Sequence, residues 1–234
     1  MTVNASVIVE RYRKIVERIA EAARAAKRDP AGVRLVAVSK THPYAAVRAL
    51  YDVGHRDFGE NYVQELVEKA EAARADGLTD IRWHFIGHLQ TNKVKVLVPH
   101  AAMIHGVDSA KLAEEIAKRA EAANLGKIPI LLEVNVDGQE SKSGVQISEL
   151  RNLAASVSRI GGVDLQGLMC IPDPNRPAGA REAFRRVAVL GADLGMREFS
   201  MGMTADFFDA IAEGATLVRV GTAIFGERSP REKF

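Results

Sequence analysis

The sequence predicts an α/β protein: a single (β/α)8 barrel of the TIM type with one extra N-terminal helix, spanning residues 1–234 as one domain. Three observations carry that expectation. From Val33 onward, short apolar runs alternate with longer amphipathic ones, and strands alternating with helices argue for a parallel sheet. Roughly eight such units follow one another, enough to close a barrel at the small end of the usual size of about 250 residues. The rival, an open doubly wound sheet, usually has fewer strands, and no Gly-x-Gly-x-x-Gly follows the first one here.

The elements can be justified in order. Ile8, Tyr12, Ile15, Val16 and Ile19 recur at helix spacing among Glu, Arg and Lys, and Asp29-Pro30-Ala31-Gly32 then breaks the helix. Strands are expected at Arg34–Ser39, Asp57–Gly59, Trp83–Gly87, Met103–Val107, Ile130–Val136, Asp164–Met169, Glu198–Met201 and Leu217–Val220. Between them lie helical patterns. The clearest is Ser109–Asn124, with Leu112, Ile116 and Ala120 on one face and Asp108 or Ser109 as N-cap. Thr204 is the expected cap of the last, which carries Phe207, Phe208 and Ile211 and stops at Gly214. The longest polar connections are Asp137–Gly144 (DGQESKSG) and Ile171–Ala180 (IPDPNRPAGA). Both follow strands, so a barrel places both on the face that carries active sites.

Composition narrows the function classes. The chain is 47% hydrophobic and 26% charged, with a formal net charge of +2. That is an ordinary soluble composition, and no block of one sign argues for nucleic acid or a lipid surface. No apolar run approaches the length of about 20 residues that spans a bilayer. Met1–Val9 lacks the layout of a signal peptide, and Cys170 is the only cysteine. An intrachain disulfide is therefore impossible, and the expected location is the cytoplasm. No helix pattern identifies an unpaired apolar face, so a monomer is expected.

Four features could carry chemistry. In RLVAVSKTHP (Arg34–Pro43) an apolar run stops at Lys40. A lysine at the C-terminal end of a barrel strand points into the mouth, where apolar walls disfavour the ammonium and favour Schiff-base chemistry. The plainer alternative is a lysine that snorkels to solvent. Two glycine-bearing turns follow the seventh and eighth strands: SMGMT (Ser200–Thr204) and RVGTAIFG (Arg219–Gly226). Loops at these positions often bind phosphate in barrels, and here Ser200, Gly202, Gly221 and Thr222 offer hydroxyl and backbone N–H groups. Alternatively the glycines only make tight turns. Arg219 lies in an apolar strand and needs an acceptor, which is either an acidic neighbour or a ligand's ring nitrogen or phosphate. Asn61, in FGENYVQE (Phe58–Glu65), stands at a strand-to-helix junction, where N-capping is its commoner use. In WHFIGHLQTNK (Trp83–Lys93), His84 and His88 have H-x3-H spacing, but they straddle a strand end and a glycine with no Glu between. A metal site is not expected; His84 reads as an inward barrel residue that hydrogen-bonds a ligand or a neighbour.

Together LVAVSKTHP, DFGENYVQE, WHFIGHLQTNK, EVNVDGQESKSG, GLMCIPDP and EFSMGMTADFFDAIAEGATLVRVGTAIFG resemble, in order and along nearly the whole chain, the pyridoxal phosphate homeostasis protein family. The resemblance implies a barrel of the alanine racemase N-terminal kind. It implies that Lys40 forms a Schiff base with pyridoxal 5′-phosphate. It implies that Ser200, Gly221 and Thr222 hold the phosphate with backbone help around Met201 and Gly202, that Arg219 faces the pyridine nitrogen, and that Asn61 and His84 line the pocket. Lys142 and Ser143 match the family's KSG loop. An arginine opposite the pyridine nitrogen disfavours ring protonation and makes the cofactor a poorer electron sink. With the chain ending at Phe234, the further β domain that supplies a racemase's second acid/base group is not expected.

The expected function is therefore a pyridoxal phosphate carrier or buffer without robust catalytic activity, acting in vitamin B6 and amino-acid homeostasis. Apoenzymes that accept the cofactor are its possible partners. One alternative is an amino-acid racemase or lyase using the same cofactor. Another is a cofactor-free Schiff-base aldolase acting on a sugar phosphate through the same lysine and anion site.

Overall fold

A computed structural model describes residues 4–139, 142–173, 175 and 179–227. Parts of both long polar loops, the first three residues of Met1–Val9 and the end of the chain at Phe234 lie outside the described residues. Helix α1 (Ala5–Ala25) opens the fold. Asn4 caps it by accepting from the Val7 N–H, and Ile8, Ile15 and Ile19 are buried on one face. Each of these isoleucines contributes about 1.5–3 kcal/mol by leaving water. They pack over α2 (Tyr44–Tyr51), which follows the first strand, and over the last helices α8 (Phe207–Ala212) and α9 (Thr222–Phe225).

Eight parallel strands close the barrel: β1 (Arg34–Val38), β2 (Asp57–Glu60), β3 (Arg82–Phe85), β4 (Met103–Val107), β5 (Ile128–Asn135), β7 (Val163–Cys170), β8 (Glu198–Ser200) and β9 (Leu217–Val220). The circuit is completed by β1 pairing with β9 and β4 with β5. A ninth, two-residue strand, β6 (Val145–Gln146), pairs alongside the end of β5 and stands outside the barrel count. It was not expected from the sequence, because two residues give no periodicity to read. The helices between strands are the crossover connections: α3 (Val63–Ala75), α4 (Val94–Leu97), α5 (Ala110–Ala122), α6 (Ile147–Val157) and α7 (Ala180–Asp193) complete the outer ring.

The near-continuous apolar strands follow from burial on both faces. Outward residues such as Leu35, Ala37 and Phe58 join the helices in the main core. Inward residues Val36, Met103, Leu131, Met169 and Leu217 form a separate cluster inside the barrel, drawn from five strands. Ser109 caps α5 through the Leu112 N–H, as expected. Thr204 does not cap α8. Asp206 occupies the cap position, and its carboxylate accepts from the Met203 N–H, so one more turn of loop precedes the helix. Among the described residues no helix is long and apolar enough to cross a membrane.

Candidate functional site

A cleft of about 280 Å³ opens at the C-terminal ends of the strands, where β1 meets β9. Lys40, His42, Asn61, Arg219, Gly221 and Thr222 line it, with Val38, Ile86 and Ile171 as apolar wall. This is near the lower bound for a small-molecule pocket.

The turn after β1 places Lys40. The Ser39 carbonyl accepts from the His42 N–H at 3.0 Å, and Thr41 inside the turn takes a φ of 66°. That left-handed conformation is uncommon for a β-branched residue and costs energy. It is held by the Thr41 N–H donating to Glu65 Oε2 at 2.7 Å. Behind the turn lies a buried ionic lock. Ser39 Oγ donates to Glu60 Oε1 at 2.6 Å, and Lys69 Nζ donates to Glu60 Oε1 at 2.7 Å and to the Ser39 carbonyl at 2.8 Å. Burial raises the Glu60 carboxyl above its usual range, with Lys69 opposing it. Lys69 is thus committed to structure, while Lys40 lines the cleft. Glu60 lies in the FGENYVQE segment, but nothing local signals the lock, because its partner Lys69 stands on another element, α3, outside any motif.

Asn61 follows β2 but does not cap α3; Tyr62 holds the cap position. The Asn61 Oδ1 is buried and has no hydrogen-bond partner among the described residues, although its side chain lines the cleft. An orphaned amide oxygen there is a vacancy for a donor. The chain comes close at this point because Gly87, just past β3, has no side chain: a Cβ would stand 2.2 Å from the Asn61 carbonyl oxygen.

Arg219 is inward on β9 and buried. Its Nη1 donates to Ser200 Oγ at 2.6 Å and its Nη2 to the Cys170 carbonyl at 3.0 Å. Both acceptors are neutral, and no carboxylate pairs with it among the described residues. Burial pushes the Cys170 thiol up to about 12, so it stays neutral too. Burial also lowers the Arg219 guanidinium from its ordinary range. An unpaired buried cation is costly, so the acceptor that balances it is one a ligand can supply.

Four of the expected site residues do not line the cleft. Ser200 is fully buried beneath Arg219. His84 lies inside the barrel between Asp57 and His105. Met201 is buried in the main core. Gly202 has a φ of 90°, and a Cβ there would stand 2.5 Å from the Ala210 Cβ, so its lack of a side chain seats the turn on α8. The rim beside it is instead Met203, Thr204 and Ala205, which sequence reading did not select. His84 and His88 are no metal pair: His88 is exposed near Ser143 and Asp108, and no metal-holding group of side chains occurs among the described residues. Lys142 reaches Asp137 and the carbonyl of the cleft-lining Ile171.

An amine, a buried cation, an orphaned amide oxygen and a glycine-to-helix turn at Gly221–Thr222 therefore share one cavity. They suit a ligand with an electrophilic carbon, a lone-pair acceptor and an anionic group.

Comparison with known proteins agrees on the fold. The profile of the family described as "Alanine racemase, N-terminal domain" matches residues 12–229. A pyridoxal phosphate homeostasis protein of Pseudomonas aeruginosa is 46% identical over 226 residues, covering 95% of this chain and 96% of the other. The structure of PipY of Synechococcus elongatus with pyridoxal phosphate bound superposes with a TM-score of 0.77 at 36% identity, covering 89% of this chain and 100% of that one. Alanine racemase of Bartonella henselae shares the barrel, with a TM-score of 0.68 at 16% identity, over 97% of this chain and 60% of its own.

Proposed function

This chain belongs to the pyridoxal phosphate homeostasis protein family, built on the alanine racemase N-terminal domain, and we propose that it holds pyridoxal 5′-phosphate reversibly on Lys40 and buffers or delivers it inside the cell. The observation that carries the proposal is the meeting of Lys40, from the end of β1, with Arg219, Gly221 and Thr222, from the end of β9, in one cavity. The residues present fit the cofactor: the orphaned Asn61 Oδ1 and the carboxylate-free Arg219 are both unmet needs that a polar ligand answers. When bound, pyridoxal phosphate supplies an aldehyde that condenses with an amine to a Schiff base, releasing one water.

Each residue then has a task. Lys40 supplies the amine. Gly221 and Thr222 receive the phosphate with the N–H groups that open α9 and the Thr222 hydroxyl. Arg219 donates toward the pyridine nitrogen and, as a cation, keeps that nitrogen unprotonated. Asn61 orients the ring's polar edge. Ser200 and His84 support Arg219 from beneath, and Met201 and Gly202 shape the turn behind the phosphate. A carrier needs a dissociable bond and little electron withdrawal, which matches an arginine in this position.

Absorption spectroscopy tests the reading. The purified protein is expected to be yellow, to bleach with borohydride, and to carry the reduced adduct on the peptide containing Lys40. A Lys40→Ala variant that still yields a trapped adduct would remove Lys40 from the role. Rapid, stereochemically complete exchange of the α-hydrogen of added amino acids with deuterium would favour a racemase or lyase over a carrier.

A further inference from the structure

Beneath the cleft a line of hydrogen-bonded polar side chains crosses the barrel interior. Arg219 Nη1 stands 2.6 Å from Ser200 Oγ, and Ser200 Oγ stands 2.8 Å from His105 Nδ1. His105 Nε2 stands 2.9 Å from His84 Nδ1, and His84 Nε2 stands 3.0 Å from Asp57 Oδ1. Asp57 opens β2, on the barrel face opposite the cleft, and is held there by Arg82 through Nε at 2.7 Å and through Nη2 at 2.5 Å. The line thus steps through β9, β8, β4, β3 and β2. Ser200 and His105 are fully buried, and His84 nearly so.

The two ends dictate the order of protons in between. Arg219 has only donors, and an ionised Asp57 has only acceptors. Burial works to raise the Asp57 carboxyl, but Arg82 and His84 outweigh it and hold it well below the usual range. At the cleft end, an Arg219 N–H fills one lone pair of Ser200, whose own proton then goes to His105 Nδ1. His105 therefore carries its proton on Nε2 and donates to His84 Nδ1. His84 likewise carries its proton on Nε2 and donates to Asp57. Every polar atom of the line is satisfied with both imidazoles neutral. The reverse order needs a doubly protonated His84 in the core and takes His105 away as the acceptor of the Ser200 proton. Burial holds His105 well below the ordinary imidazole range, in keeping with the neutral form.

We propose that His105 and His84 are positioning residues for Arg219: a one-way chain of donors running from Arg219 to Asp57 fixes the face that the guanidinium presents to the cleft. Each imidazole sets the polarity of the next group. His105 turns the Ser200 hydroxyl so that its proton points away from Arg219 and a lone pair faces it, and His105 can accept that proton while its other nitrogen donates onward. With one N–H on Ser200 and another on the Cys170 carbonyl, the guanidinium plane is fixed and its remaining donors are aimed. The consequence for the ligand rests on the reading above, in which Arg219 meets a ring nitrogen.

Nuclear magnetic resonance of the ligand-free protein, labelled with nitrogen-15, reads the chain directly. Both His84 and His105 are expected to show a protonated Nε2 and a bare Nδ1; a protonated Nδ1 on either one overturns the proposal. The Arg219 Nε–H signal is expected to be sharp, to broaden in His105→Phe, and to return in His105→Gln, whose amide accepts from Ser200 and donates to His84. Should His105→Phe fail to fold, Ser200→Ala breaks the same link with less change in volume. With pyridoxal phosphate added, breaking the chain is expected to weaken retention about tenfold or more, the effect of losing a hydrogen bond to a charged group, and to move the absorption band. His105→Gln is expected to restore both. Variants that melt at lower temperature but leave the Arg219 signal and the ligand spectrum unchanged would reduce the line to a structural one and sink the proposal. If the histidine and arginine signals behave as expected but the protein binds no pyridoxal phosphate, the positioning stands and only the reading of the cleft fails.

Discussion

Among the described residues two lysine or arginine side chains are buried, and they are answered differently. Lys69 is 6% exposed and Arg219 is 4% exposed. Lys69 meets a carboxylate, Glu60, between β2 and α3 on the outside of the barrel. Arg219 meets a hydroxyl and a carbonyl inside it. The first arrangement is closed, since charge and counter-charge are both protein. The second is open: no carboxylate hydrogen-bonds to it, and Asp206 and Glu133 act on it only through space. A buried cation with its own carboxylate is committed to architecture, and one hydrogen-bonded only to neutral acceptors keeps its charge available to a ligand.

The largest effect is expected at the closed pair. Lys69→Met leaves Glu60 buried without its ammonium and is expected to cost about 3–5 kcal/mol in urea unfolding at neutral pH. The loss shrinks as pH falls, because an uncompensated Glu60 takes up a proton. A cost below about 1 kcal/mol at pH 7 would break the distinction between the two cations.

A base held neutral by burial, against the pull of the Asp57 carboxylate, sharpens it further. Burial lowers His55 from 6.5 to about 4, against the opposing hydrogen bond to the Asp57 carbonyl. The unfolded chain binds the extra proton first, so this contribution to stability is present above pH 6.5 and is lost as pH falls toward 4. His55→Gln is expected to flatten the melting temperature across that window, relative to its own value at pH 8. An unchanged slope would mean that other groups set it.

Arg219→Met is expected to cost less than about 2 kcal/mol of stability, since it removes two hydrogen bonds together with an unpaired buried charge. Pyridoxal phosphate retention should nevertheless fall steeply, as measured by ultrafiltration. The smallest stability effect is expected for Lys40→Ala, within about 0.5 kcal/mol, because its side chain lines a cavity and leaves the core intact. Its signature is the loss of the borohydride-trapped adduct.

Much of this was legible in the sequence. The barrel strands could be placed because burial on both faces writes each one as an apolar run, and Lys40 and Arg219 stood out as charges interrupting such runs. His84 could be read as an inward barrel residue and Ser200 as part of the turn after the seventh strand, but neither reading gives depth. Strand tilt puts Ser200 beneath Arg219 and His84 deeper still. The rim at Met203–Ala205 was invisible because the reach of that turn depends on the left-handed backbone of Gly202. Asn61 looked like a cap because Asn at a helix start usually is one, but Tyr62 takes the cap position and the helix begins a residue later. Glu60–Lys69 and the histidine line are contacts between separate elements, which no local pattern encodes.

The cavity straddles the seam where the first strand lies against the last, Arg34 beside Leu217 and Val36 beside Arg219. Lys40 is made well before Gly221 and Thr222, so on the proposed reading a nascent chain would have no grip on the vitamin until the ring of strands has shut. Occupancy then acts as a clasp: whatever binds across the join favours the closed ring over any form in which the terminal strand has peeled away.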